Sequence, residues 1–305
     1  MKKQSIYHPP FFAQLLAELE ITLAVSTYER GKVLFIFSND GTNVRTKSVS
    51  ANRPLGLALD ENLDLIMAEK TGISRVKWKL QSPFVIEHWN TENLDIHDIF
   101  WCQGSVLAVN TKFNCLTRID QHKSQEVWRP FFINQKNQFF DTCHLNGMAI
   151  KENQPFAITA LSDSIMPQGW RQNIIEGGIL LDAIENKILL GGLGMPHSPR
   201  YKNEKIYFLQ SAFGLLSIFD LRNKQLQNIA IGGMLRGLSF YGDYIFIARS
   251  QIRKNSSTFS KLPVAHRHFK AGVVVLHRPS KQIVSECIFS DEIEEIFDIL
   301  PIPKV

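Results

Sequence analysis

Three imidazoles, an amide and a guanidinium recur in matching contexts along this chain. His97, His144, His197, Asn146 and Arg236 each sit in a short motif that opens an apolar run. A histidine can take or give a proton near neutral pH, or ligate a metal. An arginine holds a carboxylate or phosphate through two parallel hydrogen bonds. Such a set suits the binding of a small polar or anionic molecule. It also suits acid–base work on that molecule, with His144 or His197 as proton carrier and an arginine or a metal stabilising negative charge.

The motifs are Arg53-Pro-Leu-Gly56, Asp95-Ile-His-Asp98, His144-Leu-Asn-Gly147, Met195-Pro-His-Ser198, Met234-Leu-Arg-Gly237 and Glu295-Ile-Phe-Asp298. Self-similarity at intervals of about 40–50 residues is the mark of a propeller or solenoid. Five of the motifs begin units that read as four short strands separated by turn residues. The N-terminal unit offers only three, Ile21–Thr27, Val33–Ser38 and Val44–Val49, whereas Glu295–Pro301 is a strand with no hairpin partner. Joining that last strand to the first three makes a sixth blade and closes a ring without exposed sheet edges. The expectation is an all-β, six-bladed β-propeller in one domain spanning 1–305, with residues 1–20 forming an arm and a short helix over Phe11–Leu19.

Propeller topology turns alignment into proximity. Each innermost strand starts at one mouth of the channel, and each second strand returns to it. The third motif position carries Leu55, His97, Asn146, His197, Arg236 and Phe297, and the first adds Arg53, Asp95, His144 and Glu295. Second-strand ends add Thr27, Glu69, Asn110, Thr159, Gln210 and Arg249. Polar groups converging on one volume either plug the channel by bonding one another or hold a ligand, and convergence in a cleft favours the ligand. The expected site is therefore His144 and His197 as catalytic candidates, with His97, Asn146, Arg200, Arg236, Arg249, Glu69 and Asn110 as binding residues. Two long loops, Leu161–Gly177 with Trp170 and Arg171, and Arg253–Ala271 with His266 and His268, fall on the same face as expected lids, as does the Phe-rich segment Arg129–Cys143.

Composition narrows the partners. A net charge of +5 is too weak to imply a nucleic-acid or membrane partner. Charge is nonetheless uneven: from Leu221 to Ser285 the only acid is Asp243, against a run of lysines and arginines. Cys102, Cys115, Cys143 and Cys287 show no zinc-site spacing and fit a reducing compartment. Lys2 and Lys3 precede an apolar segment, but Pro9-Pro10, Gln14 and Glu18 interrupt it, so a cytoplasmic location is expected. No hydrolase elbow, P-loop, HExxH or EF-hand loop occurs. Gly191-Gly-Leu-Gly194 has no helix after it and is set aside as a phosphate loop.

The motifs resemble, in order, those of an uncharacterised bacterial family of hypothetical-protein propellers. The resemblance spans nearly the whole chain. It rests on Asp95-Ile-His-Asp98, Val109-Asn-Thr111, Phe113-Asn-Cys-Leu116, His144-Leu-Asn-Gly147, Trp170-Arg171, Met195-Pro-His-Ser-Pro-Arg200, Arg236-Gly-Leu238 and Glu295-Ile-Phe-Asp298. It brings no established activity. More remotely the architecture is similar to regucalcin, gluconolactonase and strictosidine-synthase propellers, whose sites lie at the channel mouth. That likeness implies a mouth site here, but the histidines replace the all-oxygen, calcium-type ligand set. Any metal would be zinc, iron or manganese, with Glu69, Asn110 and Asn146 as oxygen ligands. A third reading is an adaptor that meets a protein partner on its outer rim.

Overall fold

The computed structural model describes residues 6–79, 82–121, 123–133, 140–252, 258–290 and 292–304. Their strands pair into six antiparallel sheets arranged as the blades of a ring. The innermost strands, from blade two to blade six, are Leu57–Leu59, Ile96–Cys102, Leu145–Lys151, Pro196–Lys202 and Met234–Tyr241. Blade one takes its innermost strand, Ile299–Pro303, from the C-terminus; it pairs with Ile21–Thr27 in the register Leu23↔Pro301. Second strands such as Ile21–Thr27 and Leu65–Glu69 are buried throughout, whereas outer strands such as Arg45–Ser50 are mostly exposed. The core therefore lies between neighbouring blades, where each buried Leu, Ile, Val or Phe contributes roughly 1.5–3 kcal/mol.

Two details differ from the sequence expectation. The closing strand starts at Ile299 rather than Glu295. Just before it the chain is tied to blade one at Ser26, by Phe297 N to Ser26 O at 2.9 Å, Ser26 N to Asp298 O at 3.1 Å and Asp298 N to Ser26 Oγ at 2.9 Å. The Asp298 carboxylate accepts from Ile299 N and Leu57 N, so a side chain occupies donors that a regular ladder would use. The second difference is Ile6–Tyr7, which adds a fifth strand to the outer edge of blade six through Ile6↔Phe289. Helix Pro10–Glu18 then buries Phe12, Leu15 and Leu16 in a cluster that mixes Leu23 and Leu34 of blade one with Phe246 and Val273 of blade six. The ring is thus closed twice, by strand pairing and by this wedge. No described helix is long and apolar enough to cross a membrane.

The repeated motif has a local geometry that explains its recurrence. In blades three to six the pairing of first and second strands shifts register within it, between Ala108/Asn110, Leu145/Gly147, His197/Arg200 and Leu235/Leu238. Each shift is a bulge, which leaves an extra residue unpaired and re-aims its side chain. The first motif residue is left-handed in four blades: Arg53 and Asp95 at φ 52°, His144 at 55° and Met195 at 52°.

The fourth motif position alternates around the ring. Blades two, four and six have Gly56, Gly147 and Gly237, and blades one, three and five have Asp298, Asp98 and Ser198. A Cβ on Gly56 would lie 2.9 Å from the Asp98 Cα, and one on Gly237 would lie 2.7 Å from the Asp298 Cα. Only glycine lets the following blade approach so closely. The odd-blade side chains in turn bond to the next even blade: Asp298 Oδ2 accepts from Leu57 N, Asp98 Oδ2 from Met148 N, and Ser198 Oγ donates to Arg236 O.

Candidate functional site

At the end of the ring where innermost strands begin lies a cavity of about 350 Å³. His97, His144, Arg236 and Phe297 line it from the repeated motifs, and Trp170 and Arg171 from the 3₁₀ turn Gly169–Asn173. Asp95, Asp141 and Glu295 add carboxylates. The wall is a run of ring contacts. Phe297 and His97 are 5.3 Å apart between centroids, His97 and His144 4.8 Å, and His144 and Trp170 4.5 Å. Guanidinium groups stand at both ends, Arg171 4.1 Å over Trp170 and Arg236 5.8 Å over Phe297.

His97 and His197 occupy equivalent positions and are held alike. The Nδ1 of His97 is 2.9 Å from Asp95 O and 2.8 Å from Thr111 Oγ1; that of His197 is 2.8 Å from Met195 O and 3.0 Å from Ser211 Oγ. Both hydroxyls donate elsewhere, Thr111 to Leu145 O and Ser211 to Leu235 O. The proton therefore sits on Nδ1, and Nε2 carries the lone pair. In His197 that lone pair accepts from Arg236 Nη1 at 2.6 Å. Burial pushes the pKa of His197 well below its usual value, and the Arg236 charge pushes the same way. Burial also lowers His97, against a partial pull upward from Asp95. Both imidazoles are neutral acceptors at neutral pH.

His144 is held by a carboxylate instead. Its Nδ1 lies 2.6 Å from Asp141 Oδ1, while Asp141 Oδ2 accepts from Trp170 Nε1 at 3.1 Å. Burial raises the Asp141 pKa, but the His144 charge and hydrogen bond, with the Trp170 bond, bring it net below its ordinary value. The pair leaves His144 Nε2 on the cavity side of a fixed ring, an arrangement able to move a proton. Asp141 lies outside the repeat, so alignment of the motifs does not reach it. Its signal in the sequence is only its place three residues before His144, in the segment already noted as long and Phe-rich; residues 134–139 of that segment lie outside the described residues.

Asn146 is buried between blades, and its Oδ1 accepts from Thr159 Oγ1 at 2.7 Å. Its Nδ2 has no partner. Whichever way the amide is turned, one polar atom is left over, at a cost of about 1–3 kcal/mol unless something from outside the chain satisfies it.

Glu69, Asn110, Asn146, His197, Arg200 and Arg249 do not line the cavity, although all were expected there. Second-strand ends turn instead along their own blades. Glu69 accepts from Ser74 Oγ and Asn52 N, Asn110 Nδ2 donates to Thr117 Oγ1, Gln210 Nε2 to Ser217 Oγ, and Arg249 Nη2 to Glu286. Arg200 lies beneath the mouth on Asp98. With Glu69 and Asn110 bonded elsewhere and His197 Nε2 taken by Arg236, the oxygen and nitrogen donors expected for zinc, iron or manganese do not assemble. Among the described residues no group of three or more His, Cys, Asp or Glu side chains could hold a metal ion.

The expected lid loops do meet. Arg171 Nη1 donates to Thr258 Oγ1 at 3.2 Å, and Trp170, Ile174, Leu262 and Val264 share one buried cluster with Met195 and Met234. Arg253, expected at the start of the second loop, lies outside the described residues. His268 lines a neighbouring cavity rather than the mouth itself.

Fold and cavity together define a six-bladed β-propeller with a mixed-charge pocket at its channel mouth. The chain belongs to the family described as a domain of unknown function, DUF4915, whose model matches residues 10–305. No curated protein matches the sequence. Solved structures share the fold. A chain of the nidogen/laminin complex is 9% identical with a TM-score of 0.63, over 92% of this chain and 98% of that one. A protein of unknown function from Bacteroides caccae is 10% identical with a TM-score of 0.54, over 93% and 100%. A provisionally named 6-phosphogluconolactonase from Bacteroides uniformis is 11% identical with a TM-score of 0.51, over 87% and 81%.

Proposed function

We propose that this propeller binds a small polar or anionic molecule in its mouth cavity. The observation that supports this most is the cavity wall itself, in which Arg236 and Arg171 flank the Phe297–His97–His144–Trp170 run. Neutral His97 offers an acceptor, the arginines offer planar donors, and the aromatic faces exclude water from a bound ring or chain. Asp95 and Glu295 suit hydroxyl or amine donors on the same molecule. Arg200 and Arg249, expected as anion donors, act in this reading by holding the walls.

One observation favours a second reading, catalysis on that molecule. Asp141 fixes His144 in the tautomer with Nε2 unprotonated, so His144 is placed to act as a base, and Arg236 to stabilise the anion formed. The test is a calorimetric screen of small carboxylates and phosphates against the wild type, His144→Ala and Arg236→Ala. Affinity for at least one compound should fall by tenfold or more, on the order of one charge-assisted bond, with melting temperatures unchanged. Hits that bind both variants equally would place the ligand elsewhere. Turnover of a hit by the wild type but not by His144→Gln would identify an enzyme.

A further inference from the structure

The mouth cavity has a neighbour. A second cavity of about 270 Å³ lies against Ser260, Val264 and Phe269, and the two share Met234, Ser250 and Gln251 as a common wall. They adjoin along that wall, as a mouth arm and a lid arm. Their chemistry differs. The mouth arm contains three carboxylates, Asp95, Asp141 and Glu295. The lid arm contains none; Met234, Ile252, Val264, Ala265 and Phe269 line it with Ser250, Gln251 and Ser260, and Arg267 and His268 are exposed at its rim. Neither rim side chain makes an ion pair with a described residue.

The lid arm is built in advance. Val264 is buried in the cluster with Trp170 and Met234, and its N–H donates to Ala212 O at 3.2 Å. The floor needs two glycines in the left-handed region, Gly232 at φ 90° and Gly233 at φ 79°. A Cβ on the first would lie 2.5 Å from Phe269 Cζ, and one on the second 2.6 Å from Arg249 Cδ. Arg249 explains the position of the loop end. It is buried, its guanidinium stands 5.3 Å from the Phe269 ring, its Nε donates to Lys270 O at 3.1 Å, and its Nη2 to Glu286 Oε2 at 2.9 Å. Arg249 is thus a positioning residue for the lid arm, and a preformed arm loses little entropy on filling.

From this we infer that the ligand is a two-part molecule: a polar or anionic head in the mouth, and an apolar tail in the lid arm that ends in a second anionic group at Arg267 and His268. The inference rests on the proposed mouth reading for its head group. It also gives a role to Arg267 and His268 of the basic stretch after Leu221, to which the mouth cavity gives a role only at Arg236.

The α,ω-dicarboxylates from malonate to sebacate are the probe, titrated calorimetrically into the wild type, Arg236→Ala, Arg267→Ala and Phe269→Ala. Short members should depend on Arg236 and ignore Arg267. At the length that spans both arms, wild-type affinity should rise by about tenfold, the size of one charge-assisted contact. Arg267→Ala, an exposed substitution that leaves the fold intact, should remove that rise without weakening the short members, and Phe269→Ala should blunt it. A flat series in the wild type, with short members still Arg236-dependent, overturns the two-part ligand and leaves the mouth reading standing. Binding independent of Arg236 at every length, or no binding at all, overturns both.

Discussion

Arg200 of blade five reaches past blade four to Asp98 of blade three, with Nη1 2.8 Å from Oδ2. The same nitrogen also donates to Met148 O of blade four at 3.2 Å. One side chain therefore joins three blades, at the level where Ser198 stands in place of a third aspartate. Burial disfavours the Arg200 charge, but Asp98 and Asp298 outweigh it and raise its pKa. Replacing Arg200 by Met should leave two buried carboxylates without their counter-charge. The expected loss is about 3–5 kcal/mol in urea unfolding; a loss under about 1 kcal/mol would show that water supports the pair.

Asp298 makes the channel pH-sensitive. Burial pushes its carboxyl up to about 7, Arg200 opposes this, and Asp98 adds to it. A raised folded pKa contributes stability that is complete below the ordinary 3.8 and is lost as pH rises through about 7. The stability difference between the wild type and Asp298→Asn should therefore shift against the wild type across that interval. A difference constant from pH 4 to pH 8 would show that Asp298 does not titrate there.

The Asp141–His144 pair should respond to Asp141→Asn without loss of fold. The amide can present N–H to His144 Nδ1 and so reverse the tautomer, which nitrogen-15 shifts of the imidazole report directly. Ligand affinity or turnover should fall about tenfold to a hundredfold. Asp141 has a lowered pKa, so its stabilising contribution is present above 3.8 and disappears as the pH falls below it. An unchanged tautomer would mean that the wall, not Asp141, orients the ring.

Removing everything after Ser290 deletes Ile299–Pro303 and leaves Ile21–Thr27 with an unpaired inner edge. Cooperative unfolding should be lost. A truncated protein that melts at the wild-type temperature would show that the wedge of Phe12, Leu15 and Leu16 closes the ring unaided.

Close approach of blades can be probed at Gly237. A Cβ there would lie 2.6 Å from Ile299 N and 2.7 Å from the Asp298 Cα, both backbone atoms that cannot turn aside. Gly237→Ala should cost about 1–3 kcal/mol, measured by denaturant unfolding; a neutral result would mean that blade one can move away from blade six.

Six blades and their closure are legible in the sequence because both depend on local pattern: short apolar runs, turn residues, and a motif whose bulge or glycine requirement recurs around the ring. Alignment also brings His97, His144 and Arg236 to one level. What it cannot supply is side-chain direction. Glu69, Asn110 and Arg249 occupy the expected rung of the ring, yet Ser74, Thr117 and Glu286 in their own blades offer nearer partners. A polar group taken from water settles on the nearest partner that meets its hydrogen-bonding need. Ile6–Tyr7 is too short to show alternation, and Asp141 and the lid-arm residues sit on segments outside the repeat. Their positions are set by contacts between parts of the chain far apart in sequence, Trp170 on His144 and Phe269 on Arg249. The sequence determined the ring because strand pairing repeats a local code; only the tertiary structure decided the cavity, because a cavity is the space left where non-repeating loops pack against the repeat.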